Sequence, residues 1–144
     1  MTQVDFYIIK DCNPDARLTV ACRIAEKAMQ KQHQVLINTA SKAECKRLDE
    51  LLWTFSQGSF VPHRVIEADA DQSGPEPVLI GCGAEPAGET WDLLINLAND
   101  VPEFFSRYQR VAELVDGDEQ RRQEGRERFR YYRDRGYELN THNI

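Results

Sequence analysis

Short strand-like runs alternate along the chain with segments in which apolar residues recur at helical spacing. This alternation constrains the fold more than any other feature. The strand-like runs are residues 4–9, 35–37, a short run around Val65, and residues 77–80, 91–97 and 110–115. Their length and composition are typical of β-strands. Strands that alternate with helices form a mostly parallel sheet flanked by helices, so the sequence predicts an α/β sandwich.

The first three helical segments carry enough apolar residues to pack by burial. From Ala16 to about Gln32 the apolar residues recur on one face, which predicts a packing helix. Ser41 followed by Glu44 is the pattern of a capping box and predicts the start of a second helix. The buried face of this second helix is predicted to consist of Cys45, Leu48, Leu51 and Leu52. A short helix is expected over residues 101–108.

The last helical segment, residues 121–136, is basic although the chain as a whole is acidic. The 144 residues include 18 Lys and Arg against 24 Asp and Glu, for a net charge of -6. Asp116 and Asp118 are candidate N-caps of this helix, and Gly136 is a candidate left-handed residue just beyond its end. We therefore expect a basic helix over about residues 117–135, within one domain that spans residues 1–144.

One face of this helix carries a basic stripe with an aromatic residue in it. At about 100° per residue, five side chains fall on or beside the stripe: Arg122, Arg126, Phe129, Arg130 and Arg133. Such a charge run is commonly a solvated helix face, stabilised by pairs at (i, i+4) spacing. The use of arginine without lysine favours a docking site for a carboxylate or phosphate, because guanidinium groups bind these anions in a bidentate manner.

The loop at residues 55–63 is unusual because it is aromatic and follows a helix that ends beside Trp53. Two interpretations stay open at this point. Trp53, Phe55 and Phe60 either fold back over the core, or form an exposed apolar patch of the kind that marks a partner site. His63 is expected to be a hydrogen-bonded turn residue, because the other histidines offer no metal-ligand spacing around it.

Composition limits the classes of function. A net charge of -6 with no second basic patch in the sequence argues against wrapping of nucleic acid, so we expect only indirect contact with DNA. The sequence shows no signal peptide and no apolar run near 18 residues, which predicts a cytoplasmic protein. Four cysteines without a CxxC pair predict reduced, mostly buried thiols and no metal site: Cys12, Cys22, Cys45 and Cys82.

Phosphate-binding motifs are also missing from the sequence. The stretch that begins Gly81-Cys82-Gly83 has Pro86 where a dinucleotide fingerprint needs glycine, and no GxxxxGK[ST] loop occurs. We therefore predict no cofactor and no catalytic residue. The competing interpretation is a small nucleotide- or nucleic-acid-processing α/β enzyme that uses Asp5, Asp49, Glu50 or Asp92, although these acids form no recognisable spacing motif.

Several motifs resemble, in order and spacing, the chi subunit of bacterial DNA polymerase III holoenzyme. They are DFYII at residues 5–9, Arg47-Leu48-Asp49-Glu50, Trp53, Ser59-Phe60-Val61-Pro62-His63, Arg126-Glu127-Arg128, Tyr132-Arg133, Gly136 and Leu139-Asn140. The resemblance covers nearly the whole chain. It implies a non-enzymatic accessory protein of the clamp loader, with a fold like that of nucleotide-binding α/β proteins but without their phosphate loop.

The resemblance also implies two protein partners. One is the acidic carboxy-terminal tail of the single-stranded-DNA-binding protein, and the residues that match its site are Val115, Arg122, Arg126, Phe129 and Arg130. The other is the psi subunit of the clamp loader, or a helicase that shares that surface, and the residues that match are Trp53, Phe60, Pro62 and His63. Phe129 stands where a tyrosine is usual in the family, so a hydroxyl is lost while the apolar contact is kept.

Overall fold

The computed structural model describes residues 2–11, 13–58, 60–67, 76–84 and 91–144. The strands are β1 Gln3–Ile8, β2 Val35–Asn38, β3 His63–Val65, β4 Val78–Gly81, β5 Trp91–Asn96, β6 Tyr108–Val115 and β7 Glu138–Asn143. The helices are α1 Ala16–Gln30, α2 Lys42–Thr54 and α3 Glu119–Asp134, with a 3₁₀ turn at Phe105–Arg107.

The seven strands form one sheet in the order β3-β4-β2-β5-β6-β1-β7. Every pairing between described strands is parallel. The predicted α/β sandwich is therefore confirmed, and its sheet is wholly rather than mostly parallel in the part that the structure describes. The central strands β2 and β4 are buried along their whole length, as expected when both faces of a parallel sheet are covered.

The core consists of two apolar clusters, one on each face of the sheet. On the first face, α1 and α2 pack against the strands through small and branched side chains such as Ala25, Leu48 and Leu52. On the second face, Phe105 and Tyr132 pack against the alternate residues of the same strands. Helices α2 and α3 consequently lie on opposite faces of the sheet.

Two elements differ from the prediction. Strand β7 was not predicted, because its sequence ELNTHN lacks apolar alternation, and it is a strand through parallel pairing with β1. The expected helix over residues 101–108 is wrong. Only Phe105–Arg107 forms a 3₁₀ turn, and Tyr108 is already extended because it pairs with Trp91 across β5 and β6.

The helix caps agree with the sequence in most details. Ser41 caps α2 by accepting the backbone N–H of Glu44 at 3.2 Å. Asp118 caps α3 by accepting the backbone N–H of Arg121 at 3.0 Å, so Asp116, the other candidate, is not the cap. Gly136 adopts a positive φ of 78° just past α3, as predicted.

The predicted buried positions are confirmed with three exceptions, the first of which is Met29 of α1, which is only partly buried. Leu51 of α2 is only partly buried, although it packs against the apolar cluster under α1 and α2. Cys82 is exposed, whereas Cys22 and Cys45 are buried free thiols. Burial raises the pKa of Cys22 to about 12, so this thiol is inert at neutral pH. Cys12 lies outside the described residues.

Candidate functional site

A pocket of about 280 Å³ opens between α3 and the sheet. Its lining residues are Phe6, Ile8, Val115, Arg122, Gly125, Arg126, Phe129 and Thr141. Four of the five residues predicted for the tail site are in this list, namely Val115, Arg122, Arg126 and Phe129. Arg130, the fifth, is exposed on the same helix but does not line the pocket. We call this site the α3 pocket.

The apolar floor of the α3 pocket follows from two local features of the chain. Alternation along β1 places Phe6 and Ile8 on the face that α3 covers, and the ring of Phe129 meets Phe6 edge-on at 5.2 Å. Gly125 allows α3 to approach the sheet closely, because a Cβ at that position would lie 2.8 Å from Cγ2 of Val115. These contributions were not predicted from the sequence, although a glycine inside a helix can have a packing reason.

The arginines of α3 divide into two groups by their partners. Three are engaged within the chain: Arg121 with Asp116, Arg128 with Glu113, and Arg133 with Asp134. Arg135, just past the end of the helix, lies over the ring of Tyr131. The side chains of the other three, Arg122, Arg126 and Arg130, make no ion pair or hydrogen bond with the described part of the chain. The three unengaged arginines are the ones that the resemblance assigns to the tail site.

Helix α3 is attached to the sheet by a buried polar network. The carboxylate of Glu113 in β6 is wholly buried and accepts hydrogen bonds from Nε of Arg128 at 2.9 Å and from the hydroxyl of Tyr132 at 2.7 Å. Nδ2 of Asn96 also donates to it. Burial raises the pKa of Glu113, and its interaction with Arg128 opposes that rise. Arg128 is thus a structural residue, which its place in the Arg126-Glu127-Arg128 motif did not reveal.

A second ion pair fixes the beginning of α3. The guanidinium group of Arg121 binds both carboxylate oxygens of Asp116, at 2.9 and 2.8 Å. Burial disfavours the charge on Asp116, but the hydrogen bonds from Arg121 and from the backbone of Asp118 outweigh it and lower the pKa of Asp116. The guanidinium group of Arg121 is therefore already paired with a carboxylate of the same chain.

The second predicted surface is an exposed aromatic pair at the end of α2. Trp53 is 54% exposed and Phe60 is 65% exposed, and their ring centroids lie 5.9 Å apart. Phe55 instead packs against the apolar core. The two interpretations of this loop thus apply to different residues, because Phe55 folds back while Trp53 and Phe60 remain at the surface. We call Trp53 and Phe60 the aromatic patch.

His63 packs against the aromatic patch through the ring of Trp53. Its side chain is fully buried, with Nδ1 2.6 Å from the carbonyl oxygen of Val61 and Nε2 3.0 Å from Oδ1 of Asp49. The ring of Trp53 lies 4.6 Å from that of His63. Asp49 therefore fixes the histidine ring against which Trp53 packs. Pro62 is half-buried between Val61 and His63.

The two candidate surfaces lie near opposite edges of the sheet. His63 belongs to the edge strand β3, whereas Thr141, which lines the α3 pocket, belongs to the other edge strand β7. Six strand spacings separate these edges, or about 29 Å at the usual distance between neighbouring strands. The α3 pocket and the aromatic patch are therefore separate surfaces.

The four acids considered for an enzymatic role all have partners in the structure. Asp5 lies 3.3 Å from Nε2 of His142 and 3.4 Å from Nε of Arg110. Asp49 is beside His63, and Glu50 lies 3.7 Å from Arg47. Asp92 accepts the backbone N–H of Gln34. Among the described residues, no three His, Cys, Asp or Glu side chains are grouped so as to hold a metal ion.

No helix in the described part of the chain has the length and apolar character needed to cross a membrane.

Comparison with known proteins identifies the family to which the chain belongs. The family model described as DNA polymerase III chi subunit, HolC, matches residues 1–140. The DNA polymerase III subunit chi of Pseudomonas aeruginosa is 46% identical over 144 residues, which cover 100% of this chain and 98% of that protein. The subunit chi of Escherichia coli K12 is 31% identical over 145 residues, covering 98% of this chain and 97% of that protein.

Solved structures of similar fold are larger proteins. T4 UvsW superimposes with a TM-score of 0.71 at 9% identity, over 99% of this chain. A DEAD box protein from Methanococcus jannaschii superimposes with a TM-score of 0.64 at 16% identity, over 98% of this chain. The chain spans 41% of the length of each of those two proteins. At such low identity these likenesses concern the fold alone.

The parallel sheet and its flanking helices place the chain among α/β proteins of nucleotide-binding-like fold. Within that class, the chain belongs to the DNA polymerase III chi subunit family. It is an accessory subunit of the replicative polymerase and not the catalytic one.

Proposed function

We propose that this subunit connects the single-stranded-DNA-binding protein to the clamp loader. The α3 pocket binds the acidic carboxy-terminal tail of the single-stranded-DNA-binding protein. The aromatic patch binds a psi-type subunit of the clamp loader, or a helicase that uses the same surface. The subunit acts by binding both partners and carries out no chemical step.

The observation that carries this proposal is the pairing of an apolar pocket with unengaged arginines. Arg122 and Arg126 line the α3 pocket together with Phe129 and Val115, and neither guanidinium group has a partner in the described part of the chain. An acidic tail that ends in an apolar residue offers aspartates for the arginines and an apolar side chain for the floor. Arginine forks also match the geometry of its free terminal carboxylate.

The aromatic patch supports the second partner on different physical grounds. Trp53 and Phe60 expose apolar rings side by side. The ring of Trp53 packs against His63, which is fixed by Asp49. Large aromatic side chains at the centre of an interface often contribute most of its binding energy. Because this contact is apolar, it should respond weakly to salt.

Binding of a tail peptide tests the first surface. A peptide with the last residues of the single-stranded-DNA-binding protein should bind in the micromolar range, about -8 kcal/mol or weaker, and more weakly as salt rises. Arg126→Ala should cost roughly 1.5 to 3 kcal/mol of binding, measured by calorimetry. Arg23→Ala is the matched control, because Arg23 is exposed on α1 across the sheet. Unchanged binding by Arg126→Ala would place the tail site elsewhere.

Separate loss of the two partners tests the connecting role. Phe60→Ala should weaken binding of a psi-type partner by about 2 kcal/mol or more and leave peptide binding unchanged, while Arg126→Ala should do the reverse. Thermal melting of both variants verifies that the fold is intact. Joint loss of both partners by a variant that melts normally would mean that the surfaces form one site.

An ATPase assay tests the enzymatic alternative. The crevice at the carboxyl ends of β2 and β5 is where nucleotides bind in many open α/β sheets. Here the side chains of Asn38 and Asn96 occupy that edge and are joined by a hydrogen bond of 3.1 Å. We expect no ATP hydrolysis by the purified protein. Turnover that co-elutes with the protein in gel filtration would contradict the non-enzymatic role.

A further inference from the structure

A second cavity, of about 460 Å³, lies on the face of the sheet opposite the α3 pocket. It lies between the second half of α1 and strands β1, β5 and β6. Its lining residues include Tyr7, Lys27, Lys31, His33, Asp92 and Arg110. Its volume is in the range typical of sites for small organic molecules. We call it the α1 cleft.

The cations of the α1 cleft come from separate parts of the chain, so the sequence did not show them as a patch. Lys27 lies in the last turn of α1, and Lys31 is the residue that follows the helix. Both are exposed and make no ion pair with the described part of the chain. Arg110 of β6 lies 3.4 Å from Asp5, yet its side chain remains 55% exposed. The structure thus assembles the second basic surface that sequence analysis did not find.

The negative groups near the α1 cleft are already engaged. Asp92 lines the cleft and accepts the backbone N–H of Gln34 at 2.8 Å. Asp5 is 3% exposed and lies between Arg110 and His142. The lining therefore carries more positive than negative charge, in a chain whose net charge is -6.

An aromatic ring completes the lining. Tyr7 lines the cleft, and the imidazole of His142 stacks on its ring with centroids 4.9 Å apart and planes inclined by 21°. His142 is fixed in turn by Asp5, 3.3 Å from its Nε2. The tyrosine ring is consequently held in place before any ligand arrives. Burial raises the pKa of Tyr7, so the ring is neutral at physiological pH.

We propose that the α1 cleft contacts single-stranded DNA, with Lys27, Lys31 and Arg110 against phosphates and Tyr7 against a base. Cations that follow the backbone together with an aromatic platform for bases are the usual elements of such sites. The ammonium groups of Lys27 and Lys31 can bind phosphate as point charges, and the guanidinium group of Arg110 can bind it in a bidentate manner. The contact is weak and depends on salt, and it is direct, contrary to the expectation from sequence.

The test is fluorescence anisotropy with a labelled oligothymidylate of about 12 nucleotides, at about 20 mM salt. The double variant Lys27→Glu/Lys31→Glu should weaken binding about tenfold or more. Lys42→Glu/Lys46→Glu is the matched control. It makes the same charge change at the same sequence spacing, at exposed lysines of α2 outside the cleft, and should change binding less than about twofold.

A second arm tests the stacking contact. Tyr7→Leu should weaken oligonucleotide binding about threefold or more, because stacking on aromatic side chains contributes to each bound base. A melting curve accompanies this variant because Tyr7 also packs against the core. Arg122→Ala/Arg126→Ala should remove binding of the acidic tail peptide and preserve binding of the oligonucleotide. The Lys27 and Lys31 double variant should do the reverse, so this proposal and the tail site can fail separately.

Three results would overturn the proposal. The first is no detectable oligonucleotide binding by the unaltered protein at low salt. The second is equal loss in the two lysine double variants, which would assign the effect to net charge. The third is loss of oligonucleotide binding in the Arg122 and Arg126 variant but not in the Lys27 and Lys31 variant, which would place the DNA contact at α3.

Discussion

Helices α1 and α3 have similar lengths but attach to the two faces of the sheet by different means. The buried residues of α1 are mostly small and apolar, such as Ala21, Cys22 and Ala25. The buried residues of α3 are Gly125, Arg128 and Tyr132. Helix α1 is thus held mainly by burial of an apolar face, with one buried polar contact from Arg17 to the carbonyl oxygen of Leu97. Helix α3 is held by a polar network around Glu113 and by close approach at a glycine.

This difference bears on function. Apolar packing is non-directional, so the apolar face of α1 sets the position of that helix mainly through shape. Hydrogen bonds from Arg128 and Tyr132 to one buried carboxylate also fix the rotation of α3 about its axis, a use of buried polar groups that favours specificity over stability. That rotation places Arg122 and Arg126 at the pocket and leaves both guanidinium groups unengaged within the described residues.

The largest expected effect comes from breaking the polar attachment. Arg128→Met should lower the free energy of unfolding by about 3 to 5 kcal/mol, because Glu113 is left buried without its counter-charge. Burial already raises the pKa of Glu113, so its protonated form is favoured in the folded variant. The loss should therefore grow as pH rises above about 4.3, the value for an exposed glutamate. Urea denaturation at about pH 5 and pH 8 measures it.

The double variant Glu113→Gln/Arg128→Met is the control for that experiment. It removes both charges, so it should recover part of the lost stability and the added pH dependence should disappear. Equal losses at the two pH values for Arg128→Met alone would mean that the ion pair does not hold α3.

The corresponding change in α1 should be smaller and independent of pH. Leu18 is buried in the cluster beneath α1. Leu18→Ala should lower the free energy of unfolding by about 2 to 4 kcal/mol through lost burial and a residual cavity. Denaturation curves at the same two pH values should give the same loss. A pH-dependent loss here would remove the proposed distinction between the two helices.

Gly125→Ala tests the close approach of α3. Its Cβ would lie 2.8 Å from Cγ2 of Val115, so α3 must shift outward, although alanine favours the helix by about 1 kcal/mol over glycine. We expect a net destabilisation of about 1 kcal/mol and a larger loss of tail-peptide affinity, measured by denaturation and calorimetry. Adding Val115→Ala should relieve the contact and recover stability. Unchanged peptide affinity would show that helix distance does not set the pocket.

The smallest expected effect concerns the first turn of α3. Asp116→Asn should cost about 1 kcal/mol at neutral pH through the lost pair with Arg121. The folded pKa of Asp116 is lowered, so its stabilisation is present above about pH 3.8 and is lost as pH falls through the folded value. Unfolding curves of the two proteins should therefore converge in acid. A constant difference down to about pH 2 would show that the charge of Asp116 is not involved.

Local patterns in the sequence were sufficient for the alternation of strands and helices, the apolar face of α1, the cap at Ser41 and the left-handed Gly136. They left Asp116 and Asp118 as alternative caps of α3. These features depend on neighbours within a few residues, and they are stabilised by burial or by capping wherever they occur. The basic stripe and the aromatic loop were visible for the same reason. The motifs they carry were also sufficient to indicate the family that the comparisons show.

Only the tertiary structure decided which polar residues face each other. The sequence contains nothing that pairs Glu113 with Arg128 or Asp49 with His63, or that brings Lys27 and Arg110 to one cleft, because these contacts join residues on separate elements. Strand β7 is a strand only because β1 offers it a hydrogen-bonding edge. Apolar periodicity is encoded locally, whereas a hydrogen bond or ion pair needs a partner in three dimensions. For that reason, which arginines of α3 are structural and which are available to a ligand is determined by the fold.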